Sequence, residues 1–323
     1  MAEIHQLIVR NGLDAVRAAT TTAAERALVD VAASIMAEES ERLGITYAGW
    51  CLTGLPHKRL PDDTPWQRKG HRLTLLVEPG YIRRHGELMR IGVPYGSRAR
   101  LILLYLQTRA IQTGSREVEL GRSMREWLDR MGVTSGGKTY QEVRNQADRI
   151  SACHMSFFWD DAGGGEGFMK SALVTGGIRP HVADPHQGDR WQDTVTLSSE
   201  YFTALQAHPV PVWEPALREI NNRSMSLDIY VWLAYRLHAL ARPTAIGWDA
   251  IQDQFGAGFG AARSFRQVFK EALAFALAVY PDAKVDTEVT GLILYPSRPP
   301  IDRKTLVALP QSLPGFCPGP TKG

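Results

Sequence analysis

Between Ser97 and Thr175 the 323-residue sequence reads, in order, as a helix, short strand, helix, glycine-rich turn, helix and two-stranded hairpin. A similar order returns from Met225 to Tyr295, about 120 residues on. A helix-turn-helix with a β-hairpin appended is a winged helix. The sequence therefore predicts an α+β fold of two tandem winged-helix domains with an N-terminal helical extension. Composition agrees, because 44% hydrophobic and 22% charged residues suit a globular chain of about two domains and exclude disorder as its main state. The predicted boundaries are 1–80 for an extension (a helix plus a short strand packing on the first domain), 81–210 and 211–298 for the two winged helices, and 299–323 for a flexible proline-rich tail.

The elements follow from periodicity and punctuation. Residues 24–43 place Ala27, Val31, Ile35 and Met36 at helical spacing. Pro56, Pro61 and Pro65 mark a turn-rich stretch, and residues 73–77 are a short apolar run that reads as a buried strand. Residues 98–112 form an amphipathic helix, with Leu101, Leu104, Tyr105 and Ile111 apolar and Arg98, Arg109 and Gln112 polar. Residues 116–120 alternate as a strand. Ser123 with Glu126, and Thr139 with Glu142, have the spacing of capping boxes that open the second and third helices. Residues 155–159 and 168–175 are the hairpin strands, turning at 163–167. In the second copy the helices are 225–240, 249–255 and 261–280, with a hairpin across Gly291.

Cys51, Cys153 and Cys317 lie far apart without metal-ligand spacing, which argues against a disulfide framework or zinc knuckle and for a reducing cytoplasm. The sequence contains no apolar run long enough for a membrane span and no apolar signal core near its start. No cofactor, metal or catalytic set is predicted; His154, His181 and His186 do not form a His-x-His pair.

Net charge is only +3, but residues 82–149 hold 13 Lys/Arg against 7 Asp/Glu, a surplus larger than that of the whole chain. Such a concentration is the electrostatic footprint of a phosphate-bearing partner, and equally of a solvated arginine-rich surface. In the third helix, Tyr140, Val143, Ala147 and Ile150 make the core stripe. The opposite side carries Lys138, Thr139, Gln141, Arg144, Asn145 and Arg149, residue types able to read base edges or hold phosphate at a helix start. The third helix of the second copy repeats the arrangement. Phe265, Val268, Phe269, Ala272, Leu273 and Ala276 face the core, and Arg263, Arg266, Gln267 and Lys270 face out. Arg98 and Arg100 are candidate backbone clamps. An ordinary polar helix face fits the same pattern.

Residues 132–139 (Gly-Val-Thr-Ser-Gly-Gly-Lys-Thr) also satisfy the phosphate-binding loop of many NTPases. That loop needs a buried parallel strand before it, whereas residues 124–131 carry four charges at helical spacing. A nucleotide-hydrolysing alternative would rest on Lys138 and Thr139.

Four strings carry a family likeness: Tyr-Ala-Gly-Trp-Cys-Leu-Thr-Gly-Leu-Pro-His-Lys-Arg-Leu-Pro (47–61), Gly-Val-Pro-Tyr-Gly-Ser-Arg-Ala-Arg-Leu-Ile-Leu-Leu-Tyr-Leu-Gln (92–107), Thr-Gly-Ser-Arg-Glu-Val-Glu-Leu-Gly (113–121) and Gly-Gly-Lys-Thr-Tyr (136–140). Over residues 47–200 the chain resembles the RepA-type plasmid replication initiators of Gram-negative bacteria. The resemblance implies a non-enzymatic protein that binds repeated origin sites (iterons) in duplex DNA through two winged helices, its DNA-reading third helix falling on Lys138 to Arg149. It further implies origin melting, recruitment of the host initiator and replicative helicase, and self-association between monomer and dimer. A transcriptional repressor of the same fold is the nearest alternative.

Overall fold

The structure, a computed structural model, describes residues 3–70, 72–84, 86–160, 165–177 and 194–301. The anticipated hairpin turn at 163–167 falls partly outside them, as do His181, His186, Cys317 and all of the tail beyond Ile301. The fold mixes helices with small sheets, an α+β composition, and divides into two compact units. One unit joins residues 3–52 to residues 210–301; the other comprises residues 53–209.

The N-terminal segment comprises α1 (Glu3–Asn11), α2 (Leu13–Ala19), α3 (Ala23–Met36), β1 (Leu43–Tyr47) and α4 (Ala48–Leu52). A capping box opens α3: the Thr22 hydroxyl accepts from the Glu25 amide, and the Glu25 carboxylate accepts from the Thr22 amide. The helix ends at Met36 rather than continuing to residue 43, because residues 37–42 supply no large apolar side chain to extend its buried stripe.

The unit of residues 53–209 contains β2 (Trp66–Gly70), β3 (Leu73–Glu78), β4 (Gly80–Arg84), β5 (Glu87–Ile91), α5 (Gly96–Thr113), β6 (Glu117–Glu119), α6 (Met124–Arg130) and α7 (Gly137–Ala152). Then come β7 (His154–Asp160), β8 (Glu166–Ala172), β9 (Val174–Gly177), β10 (Thr194–Leu197) and α8 (Ser199–Ala207). Its sheets run in the orders β2-β3-β7-β8, β6-β10-β9 and β4-β5. The predicted hairpin is present as β7 and β8, paired antiparallel with Phe157 opposite Met169. The amphipathic reading of the first helix needs correction. Leu101 to Gln107 are all buried, so α5 is a central helix covered on every side.

The chain returns through β11 (Pro209–Trp213), α9 (Glu214–Glu219), α10 (Ser224–Arg236), β12 (Thr244–Gly247), α11 (Trp248–Phe255), α12 (Ala262–Ala278), β13 (Val285–Thr287) and β14 (Gly291–Leu294). Here β1 pairs with β11, and β12-β14-β13 forms a three-stranded antiparallel sheet. Within their own unit, α1–α3 pack against α12. Ile8, Val16, Val29 and Ala32 form one buried cluster with Ala278 of α12, and the His5 ring bonds the Ala278 carbonyl at 2.9 Å. The physical reason is that α12 offers these helices small and apolar side chains on a second face. Phe269 meanwhile packs on Trp248, Phe255 and Phe265 within the core.

Candidate nucleic-acid interface

The third helix of the 53–209 unit, α7, is placed by three polar anchors along one side. Gln146 Oε1 accepts from the Tyr95 amide at 2.8 Å, just before α5 begins. Arg149, 2% exposed, donates to the Val93 carbonyl at 3.2 Å, to Asn145 Oδ1 at 2.9 Å and to Asp62 at 2.9 Å. Its guanidinium also lies 5.2 Å from the Tyr95 ring centre. The buried stripe is thus Val143, Gln146, Arg149 and Ile150, while Tyr140 and Ala147 are half-buried.

That geometry corrects two assigned DNA contacts. Arg149 points inward and spends its donors on the protein itself. Arg100, 6% exposed, donates to the carbonyls of Leu55, Pro56 and Gly96, fastening the 53–60 strap onto α5. Both are long side chains whose only unperturbed feature in the sequence is their charge, and burial beside bare carbonyls consumes it. Asn145 is partly engaged, since its amide oxygen receives the Arg149 bond. Lys138, Gln141 and Arg144 are exposed, and Thr139 is half-buried. The anticipated Thr139–Glu142 capping box is absent: the N-cap of α7 is Gly136, three residues earlier, with no side-chain cap. Glu142 instead faces Arg98, Nε to Oε2 at 3.5 Å, so Arg98 is half-buried beside α7.

Both carboxylates on α7 are therefore met by arginines, Glu142 by Arg98 and Asp148 by Arg84. The cationic and amide residues Lys138, Gln141 and Arg144 are exposed. Lys138 stands in the first turn of a 16-residue helix, where unsatisfied amides favour anions. Arg122 and Arg125, at the start of α6, are exposed as well.

The glycine-lysine loop joins two helices. Gly132 adopts φ +67° directly after α6, and the element in the place of the required strand is α6 itself. Lys138 and Thr139 belong to the first turn of α7, with no strand feeding them.

In the other unit, α12 leaves Arg263, Gln267 and Lys270 exposed. Arg266 is half-buried with its guanidinium 5.6 Å from the Trp248 ring centre, and Lys270 Nζ lies 5.5 Å from the same ring. Val268, assigned to the core, is 40% exposed, because the helix turns its Phe265–Phe269–Ala272–Ala276 stripe inward and Val268 falls just outside that arc.

Three groups escaped the sequence reading. Asp62 and Gln146 carry no local motif, since their partners lie 87 and 51 residues away. The β4-β5 ribbon was signalled by alternation around Gly86, a pattern that separates Tyr81–Arg84 from Glu87–Arg90.

Residues 93–250 match the family described as "Plasmid encoded RepA protein". Over those residues the chain matches the plasmid-encoded RepA family. The match takes in α5, α6, α7 and α10 and ends in the first turn of α11. Among curated proteins none matches the chain. Among solved structures the chain is similar to two of RctB. The first, a selenomethionine derivative of domains 2 and 3, aligns at a TM-score of 0.45 and 12% identity over 69% of this chain and 82% of that one. The second, of domains 2–3, aligns at 0.38 and 13% identity over 76% and 93%. Among the described residues no helix is long and apolar enough to cross a membrane.

Proposed function

We propose that this chain is a plasmid replication initiator that binds repeated sites in duplex origin DNA and acts by binding rather than by turnover. The match of residues 93–250 to the plasmid-encoded RepA family supports the initiator role. The observation that carries the DNA-binding reading is the row on α7: Lys138, Gln141 and Arg144 are solvent-exposed, and arginines meet Glu142 and Asp148. Guanidinium and carboxamide groups on one helical face make bidentate contacts with guanine and adenine in the major groove, and a lysine at the helix start takes phosphate.

On this reading each unit is a winged helix, with α7 and α12 as reading helices and β7-β8 and β13-β14 as hairpins. Arg263, Gln267 and Lys270 would serve the second half-site. Origin melting, contact with the host initiator and replicative helicase, and a monomer–dimer balance in the cytoplasm complete the proposal. The test is fluorescence anisotropy of the full chain with a duplex carrying the origin region of the source replicon, against a scrambled duplex of equal length. Preference for the origin duplex, diminished in Gln141→Ala and Arg144→Ala, is expected. Equal affinity for both duplexes would overturn the reading.

A further inference from the structure

The β4-β5 ribbon is attached to α7. Gly80 approaches the α7 C-terminus so closely that any side chain there would strike the Ala152 carbonyl, and Arg84 pairs with Asp148. Asp148 lies on the helical row that begins at Lys138 and runs through Gln141 and Arg144/Asn145, since residues three and four apart share a face. From Gln141 to Asp148 is about 10 Å along the axis. The ribbon therefore stands at the far end of the row already assigned to the groove.

Its antiparallel register places Tyr81 opposite Arg90, Ile82 opposite Met89 and Arg83 opposite Leu88. Alternation sends Ile82 inward, 4% exposed, and leaves Tyr81, Arg83, Leu88 and Arg90 on the open face. Tyr81 and Leu88 are 60% and 74% exposed. The Arg90 guanidinium lies 6.0 Å from the Tyr81 ring centre, which braces the side chain on the ribbon, and Arg83 bonds the turn carbonyl of Gly86 through Nε. Both keep guanidinium nitrogens beyond those contacts. The ribbon carries three arginines against one acid, Glu87, which sits across from Arg84.

We infer that this ribbon is a second DNA-binding element, which lays Arg83 and Arg90 on the phosphate backbone of the duplex whose groove α7 occupies. The inference rests on the proposed function. A two-stranded ribbon is narrow enough to follow a backbone, and braced guanidinium groups hold phosphate with little loss of rotamer freedom. Arg84 has a different part: it neutralises the Asp148 carboxylate, which would otherwise repel a DNA backbone at that end of the row.

The test compares the full chain with an Arg83→Ala/Arg90→Ala double variant on the origin and scrambled duplexes over a range of salt concentrations. Loss of two phosphate contacts is expected to reduce the slope of log affinity against log salt by about two, equally on both duplexes. The origin-to-scrambled ratio should stay at its wild-type value, and Arg83→Lys/Arg90→Lys should restore most of the slope. An unchanged slope in a wild-type protein that prefers its origin would overturn the ribbon proposal alone. An unchanged slope with altered mass in solution would make the ribbon a protein-docking arm and overturn it too. Wild-type protein that does not prefer its origin would overturn the α7 reading, and the ribbon's place beside it.

Discussion

Arg149 and Asp62, 87 residues apart in the chain, meet at 2.9 Å, with the arginine side chain 2% exposed and the carboxylate 36% exposed. The pair locks the strap before β2 to α7, and it makes an unequal prediction for its two partners. Removing the carboxylate leaves a guanidinium buried without its counter-charge, a situation that costs about 3–5 kcal/mol. Asp62→Ala is expected near the lower end, because the Val93 and Asn145 oxygens still accept from Arg149. Arg149→Met fills similar space and lets Asp62 hydrate, so it should be the milder change. Urea unfolding checks the order, and both variants should retain their origin-to-scrambled ratio.

The same pair sets a pH response. Burial alone would raise the Asp62 carboxyl, but hydrogen bonds and charge from Arg149 and Arg59 outweigh it and hold the group below its ordinary value. A carboxylate depressed in the folded state contributes stability that is fully present above its unfolded value of about 4 and is lost as pH falls through the folded value. Acid titration of unfolding free energy should therefore drop below about pH 4, and Asp62→Asn should flatten that part of the curve. An identical acid limb in wild type and variant would show the pair to be uncoupled from folding.

Arg144→Ala and Gln141→Ala are each expected to weaken binding to the origin duplex by about 1–3 kcal/mol, the worth of a bidentate base contact, and to relax discrimination. Asn145→Ala should show a smaller binding loss together with reduced stability, since its amide oxygen also receives the Arg149 donor. Anisotropy titrations and urea midpoints on the same preparations separate the two effects.

The sequence revealed most where a local signal met a local cause. Helices α5–α7 and α10–α12, the β7-β8 hairpin and the exposure of Lys138, Gln141 and Arg144 were readable because periodicity and glycine turns act over a few residues. Arg100 and Arg149 were misread because charge says nothing about whether a remote carbonyl or carboxylate waits for it. For Arg149 those groups belong to Val93 and Asp62, on segments that approach only after folding. The β10 strand, which joins β6 to β9, depends on pairing across many residues in the same way. So does the attachment of α1–α3 to α12, whose apolar stripe looked complete without them.

In α12 the adjacent residues Val268 and Phe269 offer a direct comparison. Phe269 is fully buried and stacks with Trp248, Phe255 and Phe265, whereas Val268 is 40% exposed. Phe269→Ala should cost about 3–5 kcal/mol, and Val268→Ala less than about 0.5 kcal/mol. Val268→Lys should fold normally. A Val268 substitution as damaging as that of Phe269 would return the valine to the core.

His5 extends pH sensitivity to the other unit. Its ring is fully buried at the foot of α1, where burial depresses its pKa more than the bond to the Ala278 carbonyl raises it. Among its ring nitrogens Nδ1 is buried without a hydrogen-bond partner, so protonation would place a charge in an apolar contact. The unfolded chain then binds more protons than the folded one between the depressed value and about 6.5, and stability rises with pH across that window. The contribution is complete above about pH 6.5 and falls away on acidification. Hydrogen exchange should accordingly quicken in α1–α3 between pH 7.5 and 5.5, after correction for intrinsic rates, while α5 is unaffected. His5→Gln keeps a donor for the Ala278 carbonyl but does not titrate, so it should remove the pH dependence without detaching α1. If α1–α3 protection is equally pH-dependent in that variant, the histidine is not the group that loosens the segment.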